Sequence, residues 1–210
     1  AAVPNVRIRL GSLEPRIITR DFCLRLSRFP NLCPQFHLSL QSGSDTVLVR
    51  MRRKYDTARY AQSVALLRES FPGCALTTDL IVGFPGETEA ELEESLAFCR
   101  QCGFAAMHIF PYSRRPGTPA DKMPGQLTKA EKEARSARAI AIARALEQAY
   151  LSAQIGTTQE VLWEESVGEG LYTGHTPTYT KVYAPGDGLH NQICNVTITG
   201  LYKDGLLGQF

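Results

Sequence analysis

The sequence predicts an α/β fold in two parts: a partial parallel β/α barrel, then a small antiparallel β-barrel of the OB-like kind. Apolar strand-like runs recur at 6–10, 36–40, 76–82 and 106–110, with helical periodicities between them at about 18–28, 57–71 and 88–102. Strand–helix units spaced in this way mean parallel crossovers, because each crossover needs about a dozen residues or more. After Gly156 the texture shifts to short alternating stretches between Gly-rich turns, which reads as an antiparallel module.

The first run, Val6-Arg7-Ile8-Arg9-Leu10, alternates apolar and basic residues as a half-buried strand does. The third run is the most informative. It ends in Gly83-Phe84-Pro85-Gly86 and passes straight into a helix whose start, Thr88 and Glu91, has capping-box spacing. A buried parallel strand that delivers a tight turn at its carboxyl end forms the rim where α/β folds bind ligands. Gly83 and Gly86 are expected to let a ligand approach the backbone there, with Pro85 stiffening the turn. A long helix follows at about 128–154, opened by a second capping box at Thr128 and Glu131 and striped by Ile142, Leu146, Tyr150 and Ala153. The alternating stretches Glu160–Trp163, Tyr179–Tyr183 and Cys194–Ile198 make up the β module. We place the boundary near residue 156, giving parts 1–156 and 157–210. Four parallel strands close poorly, and a barrel of six or eight would need more strands upstream. With Ala1-Ala2-Val3-Pro4 leading at once into a strand, the chain reads as beginning partway through a fold.

Charge divides along the same line. Residues 1–156 carry 21 Lys and Arg against 15 Asp and Glu; residues 157–210 carry Lys181 and Lys203 against six acidic residues. A polyanion should meet the first part before the second. Six scattered cysteines suit a reducing cytosol rather than a disulfide scaffold, and no signal peptide or transmembrane run is visible, so a cytoplasmic protein without membrane contact is expected.

Several ordered blocks carry a resemblance. They are Ser12-Leu13-Glu14-Pro15, Phe36-His37-Leu38-Ser39-Leu40-Gln41-Ser42-Gly43-Ser44-Asp45, Met51-Arg52-Arg53-Lys54-Tyr55, Thr78-Asp79-Leu80-Ile81-Val82-Gly83-Phe84-Pro85-Gly86-Glu87 and Pro111-Tyr112-Ser113-Arg114-Arg115-Pro116-Gly117-Thr118-Pro119-Ala120. Together they resemble the radical S-adenosylmethionine tRNA methylthiotransferases, and the first two look most like the branch acting on threonylcarbamoyladenosine. The part after residue 156 is similar to the TRAM domain of that family. The resemblance implies a TIM-like radical SAM barrel and sulfur insertion at C2 of a modified adenosine beside the tRNA anticodon, followed by methylation. It also implies S-adenosyl-L-methionine and two [4Fe–4S] clusters as cofactors, with a tRNA anticodon stem-loop and an electron-donor protein as partners. The family's Cys-x3-Cys-x2-Cys motif has no counterpart in these 210 residues, so the cluster ligands are expected outside this chain and the chain is not expected to be active alone.

The resemblance also assigns residues. Ser12 and Glu14 would face the methionine part of the cofactor and Ser39 or Gln41 its ribose. Backbone groups around Val82 and Gly83 would edge the adenine, with Phe110 or Tyr112 stacking near it. The bland alternative is that polar strand ends cap and solvate. Arg50, Arg52, Arg53 and Lys54, with Arg59 nearby, form either a solvated face or a contact for tRNA phosphates or the cofactor carboxylate. Arg114 and Arg115 beside Tyr112 add a second cationic loop of the kind RNA contacts need. In the β module Trp163, Tyr172, Tyr179 and Tyr183, with Lys181 among them, are either stacking residues for RNA or core and edge residues.

Cys99 and Cys102 fall on the apolar stripe set by Leu92, Leu96 and Phe98 and read as packing, as do Cys23, Cys33, Cys74 and Cys194. His37 and His108 follow strand alternation and read as satisfied core or rim histidines; His175 and His190 lie in polar turns where exposure is expected. Two rivals to the enzyme reading stand: an RNA-binding or regulatory protein descended from the family, and an unrelated aldolase-like enzyme. The second is disfavoured because no strand-end Lys or carboxylate pair is visible on the rim.

Overall fold

The computed structural model describes residues 6–210. Four strands, β1 (Ser12–Leu13), β2 (Gln35–Leu38), β3 (Ala75–Val82) and β4 (Ala106–Pro111), form one sheet in the order β1-β2-β3-β4. All three pairings are parallel, so the carboxyl ends share one rim. The strand expected at 6–10 is displaced: the run makes only an isolated parallel bridge, Ile8 to Leu32, and the paired strand starts at Ser12. Arg7 is drawn instead to the β module, donating to Glu160 at 2.6 Å and to the His175 carbonyl at 3.0 Å.

Helices α1 (Arg20–Leu26), α3 (Thr57–Ser70), α4 (Glu89–Cys102) and α5 (Lys129–Ser152) connect and cover the sheet. Both expected capping boxes form, each threonine hydroxyl accepting from the glutamate amide and each glutamate returning the bond. A short helix, α2 (Asp45–Arg50), follows β2 and was not expected, since six residues are too few to show a period. On α5 the buried line runs through Ser136, Ala139 and Ala143, with Ile142 packed beside it; Ala153 is the cap rather than part of the stripe.

Period-two alternation gives the sheet its two faces. Leu76, Thr78, Leu80 and Val82 of β3 are buried with Phe36, Leu38, Leu40, Leu92, Leu96 and Cys99 on the helix side. Thr77, Asp79 and Ile81 face the other way, onto the open side of the sheet.

The second part is a closed five-stranded barrel in the order β5-β6-β7-β9-β8, built from β5 (Thr158–Ser166), β6 (Leu171–His175), β7 (Lys181–Pro185), β8 (Ile193–Tyr202) and β9 (Gly205–Gln209). It is not wholly antiparallel: β7 and β9 pair in parallel, Val182 opposite Leu206. The Tyr179–Tyr183 stretch is a strand only from Lys181, because Tyr179 sits at φ 63°, outside the extended region. Trp163 is fully buried with Val161, Val182, Val196 and Leu206, so it forms the barrel core and cannot stack on RNA; Tyr183 is buried too.

Candidate functional site

The rim is shaped by the way β2 ends. The Leu40 amide leaves the ladder to donate to the buried Thr78 hydroxyl at 3.0 Å, and Thr78 donates onward to the Leu38 carbonyl at 2.6 Å. Tyr55 donates to the carbonyls of Ser39 and Leu40, both at 3.0 Å. Gln41 then rejoins β3, its amide bonded to Asp79 O and its carbonyl taking the Ile81 amide, both at 2.9 Å, at φ 68°. The following Ser42 and Gly43 dock on α4, where the Gly43 amide donates to Ser95 Oγ at 3.1 Å. A Cβ on Gly43 would stand 2.8 Å from Ser95 Cα, so only glycine permits this approach. The result holds Gln41 at the mouth of the open face.

A cleft of 500 Å³ forms there, lined by Gln41, Arg53, Asp79, Phe110, Tyr112 and Arg115. A smaller one of 210 Å³ adjoins it, with Arg52, Arg53, Phe84 and Tyr112 among its walls. Tyr112 packs edge-on to Phe84 at 5.3 Å between ring centres, and its buried hydroxyl has no hydrogen-bond partner among the described residues. A buried hydroxyl without a partner is costly unless a ligand or water completes it. Polar, aromatic and cationic walls of this kind suit an adenosyl amino acid.

Not every expected residue lies on that wall. Ser12 opens instead onto a larger cleft of 570 Å³ between the sheet and the barrel, with Arg9, His37, Asp79, His108 and Tyr179. Glu14 is exposed beyond β1 and lies 3.7 Å from Arg16. The Ser39 amide donates to Leu13 O at 3.2 Å. Val82 is buried toward the helices and its carbonyl takes the Tyr112 amide at 2.8 Å. The Gly83 amide donates to Glu87 Oε2 at 2.7 Å, so this amide and the Val82 carbonyl, two of the backbone groups expected to edge an adenine, are already engaged. The glycine turn does allow close approach, but by the chain itself. A Cβ on Gly83 would meet Lys132 Cγ at 2.5 Å, and Gly86 donates to Gly125 O at 2.8 Å.

The cations separate likewise. Arg52, Arg53 and Lys54 are exposed and make no ion pair among the described residues. Arg50, in contrast, holds Glu91 and serves the fold. Arg114 is occupied by Asp121, at 2.9 Å to its carboxylate and 2.8 Å to its carbonyl, whereas Arg115 lines the rim cleft. Lys181 pairs with Asp204 at 2.8 Å. Tyr179 is half exposed, and its ring already carries Arg9 at 3.8 Å and a stacked His175 at 4.4 Å. His175 thus ends strand β6 half-buried rather than in an exposed turn.

The cysteines do not fit an iron–sulfur cluster. Five are buried, and among the described residues they assemble into no group of three. Burial raises the thiol of Cys74 to about 11 and that of Cys102 to about 12, and pushes Cys99 up as well. Cluster ligands must be thiolates gathered at one centre, and these three thiols are packed into the core beside apolar side chains. Sequence reasoning missed one constellation: His37, Asp79 and His108 converge on the open face. Their alternation in the strands was legible; the register that sets the three side by side was not.

Residues 3–99 match the radical SAM superfamily. In fold the chain is similar to coproporphyrinogen III oxidase from Escherichia coli, a radical SAM enzyme, with a TM-score of 0.57 at 14% identity over 83% of this chain and 47% of that one. The fold is thus an α/β architecture similar to that of a radical SAM enzyme. The chain is 40% identical over 184 residues to the threonylcarbamoyladenosine tRNA methylthiotransferase MtaB of Bacillus subtilis, covering 86% of this chain and 41% of that protein. It is 38% identical over 234 residues to the tRNA-2-methylthio-N(6)-dimethylallyladenosine synthase of Oleidesulfovibrio alaskensis, covering 100% of this chain and 50% of that protein. By sequence it belongs to the radical SAM tRNA methylthiotransferase family. It spans less than two thirds of the length of either relative. Among the described residues no helix is long and apolar enough to cross a membrane.

Proposed function

We propose that this chain is part of a cytoplasmic tRNA-modifying methylthiotransferase acting on threonylcarbamoyladenosine beside the anticodon, and that it contributes the adenosyl-binding rim and a tRNA-docking surface. One observation carries the reading: a single rim cleft gathers Gln41, Phe110 and Tyr112 with Arg53 and Arg115, and the Tyr112 hydroxyl there lacks a partner among the described residues. In that cleft Gln41 would hydrogen-bond ribose or base, Phe110 would offer an aromatic face, and Tyr112 would complete its hydroxyl on the ligand. An Arg fork suits a carboxylate or a phosphate. S-adenosyl-L-methionine would supply the radical and the methyl group. The cluster needed for its reductive cleavage would be held by residues outside this chain, and an electron-donor protein would serve that cluster.

The barrel order β5-β6-β7-β9-β8, closed by one parallel pair, supports a TRAM-type OB barrel as a domain from about residue 157. With Tyr179 already stacked, its exposed edge, together with Arg52, Arg53 and Lys54, would meet the anticodon stem-loop. Electrostatic contact with phosphates would then dominate over base stacking. The threonylcarbamoyl assignment rests on the sequence blocks around Ser12 and Gln41.

Fluorescence anisotropy with three anticodon stem-loops, carrying threonylcarbamoyladenosine, isopentenyladenosine or plain adenosine, tests the reading. Tightest binding to the first, weakened at least tenfold by Arg53→Ala with Arg115→Ala, is expected. Equal affinity for an unrelated hairpin would overturn the tRNA reading, and preference for isopentenyladenosine would reassign the branch.

A further inference from the structure

The open face of the sheet carries a group of side chains that the adenosyl and tRNA reading leaves unused. His37 on β2, Asp79 on β3 and His108 on β4 stand on three neighbouring strands. Asp79 pairs directly with His108 in the ladder, and His37 lies opposite Thr77, two residues before Asp79 on the same face. Each offers one ligand atom, and the three atoms lie within 4.8 Å of one another.

We propose that His37, Asp79 and His108 bind a divalent transition-metal ion of the zinc or ferrous class, through two imidazoles and one carboxylate. His37 Nε2 and Asp79 Oδ2 are 3.3 Å apart. Two ligands held at about 2.0–2.1 Å from a tetrahedral zinc ion are separated by about 3.3–3.4 Å, so this pair already has the span of a coordination edge. The third ligand atom lies within 4.8 Å of the other two, and His108 is exposed, which leaves its ring room to turn toward the ion.

The surroundings orient the group as outer-shell partners orient metal ligands. Thr77 Oγ1 lies 3.1 Å from His37 Nδ1 and accepts from Gln35 Nε2 at 3.0 Å. In the tautomer whose Nδ1 donates to that oxygen, Nε2 would turn its lone pair toward an ion shared with Asp79. Gln35 is 5% exposed, lines the same cleft, and its Oε1 is buried without a partner among the described residues, so the wall is polar beyond what those contacts satisfy. The ligand chemistry also selects the ion. Two imidazoles and a carboxylate favour zinc, ferrous iron or similar ions over calcium and magnesium, and the absence of thiolate distinguishes the site from an iron–sulfur centre.

Location gives the site a consequence. Asp79 lines both the 570 Å³ cleft beside the barrel and the 500 Å³ rim cleft, so an ion held there sits at their junction. Three protein ligands leave at least one coordination position facing a cleft, open to water or an oxyanion.

The test uses the whole chain, stripped with chelator, and two probe ions read without reference to enzymatic activity. Isothermal titration with zinc sulfate should give one site, and cobalt(II) should give visible d–d bands without the near-ultraviolet band of a thiolate ligand. Asp79→Asn and His108→Ala should each weaken zinc binding at least tenfold, while Cys194→Ser leaves it unchanged. Because His108 is exposed, H108A should keep its fold; the melting temperature of the metal-free protein checks this. Zinc should raise the melting temperature of the parent chain and not that of H108A. No binding, a cobalt–thiolate band, or zinc affinity indifferent to both substitutions would overturn the site. Loss of tRNA binding with zinc binding intact would sink only the functional reading above.

Discussion

Arg50 grips Glu91 through both guanidinium nitrogens, at 2.8 and 2.7 Å, and so fastens the end of α2 to the first turn of α4. Glu91 also caps its own helix through Thr88, so one carboxylate anchors two elements of the wall behind the rim. With Arg50 as the main cause, its carboxyl is lowered to about 2. An unfolded glutamate titrates near 4.3, so the stabilisation is fully present above that pH and is lost as pH falls from there toward about 2. Arg50→Ala should cost about 2 kcal/mol at neutral pH and shift the acid-unfolding midpoint upward. Equal destabilisation by this substitution at pH 7 and at pH 2, in urea melts, would show that the pair is not the source.

A second carboxylate behaves differently. Glu87 is almost fully buried, and burial raises its pKa despite the Gly83 amide and the Arg135 guanidinium, the latter at 2.6 Å. Arg135→Ala should therefore cost about 3–5 kcal/mol, since it strands a buried charge. Adding Glu87→Gln should recover a good part of that loss. Urea denaturation of the three variants forms the cycle, and strictly additive losses would refute the coupling.

Trp163 is the only tryptophan in the sequence and lies at the centre of the barrel. Its emission should be blue-shifted in the native chain and move red as the barrel opens, giving a reporter for that part alone. Trp163→Ala should destabilise the barrel by about 3–5 kcal/mol. Native emission resembling that of free indole in water would contradict its burial.

The rim cations should divide by their present partners. The double change Arg52→Ala with Arg53→Ala should weaken binding to the tRNA stem-loop and flatten its salt dependence, because both side chains are exposed and make no ion pair among the described residues. Arg114→Ala should do less, since Asp121 already holds that guanidinium. Salt titrations of binding that rank the variants in the opposite order would count against the docking surface.

Much of the rim was legible from residue order. Parallel connectivity followed from strand spacing, and both capping boxes from Thr88 with Glu91 and Thr128 with Glu131. Local rules failed where distant chain intervened. The 6–10 run alternates like a strand, yet Arg7 is claimed by Glu160 and Arg9 by Tyr179, residues more than 150 positions away. Gly83 reads as a ligand approach, but Lys132 fills the space. Tyr179 reads either as a stacking residue for RNA or as a core or edge residue, and in the fold Arg9 and His175 occupy its ring.

The sequence by itself determined the two-part α/β-then-β organisation, the shared rim and the family, because periodicity, caps and ordered motifs are local properties of a chain. Tertiary structure alone decided which rim residues meet in one cleft, which cations remain unpaired, and that His37, Asp79 and His108 converge. Those outcomes depend on register between strands and on partners brought from far along the chain, and no local pattern encodes either.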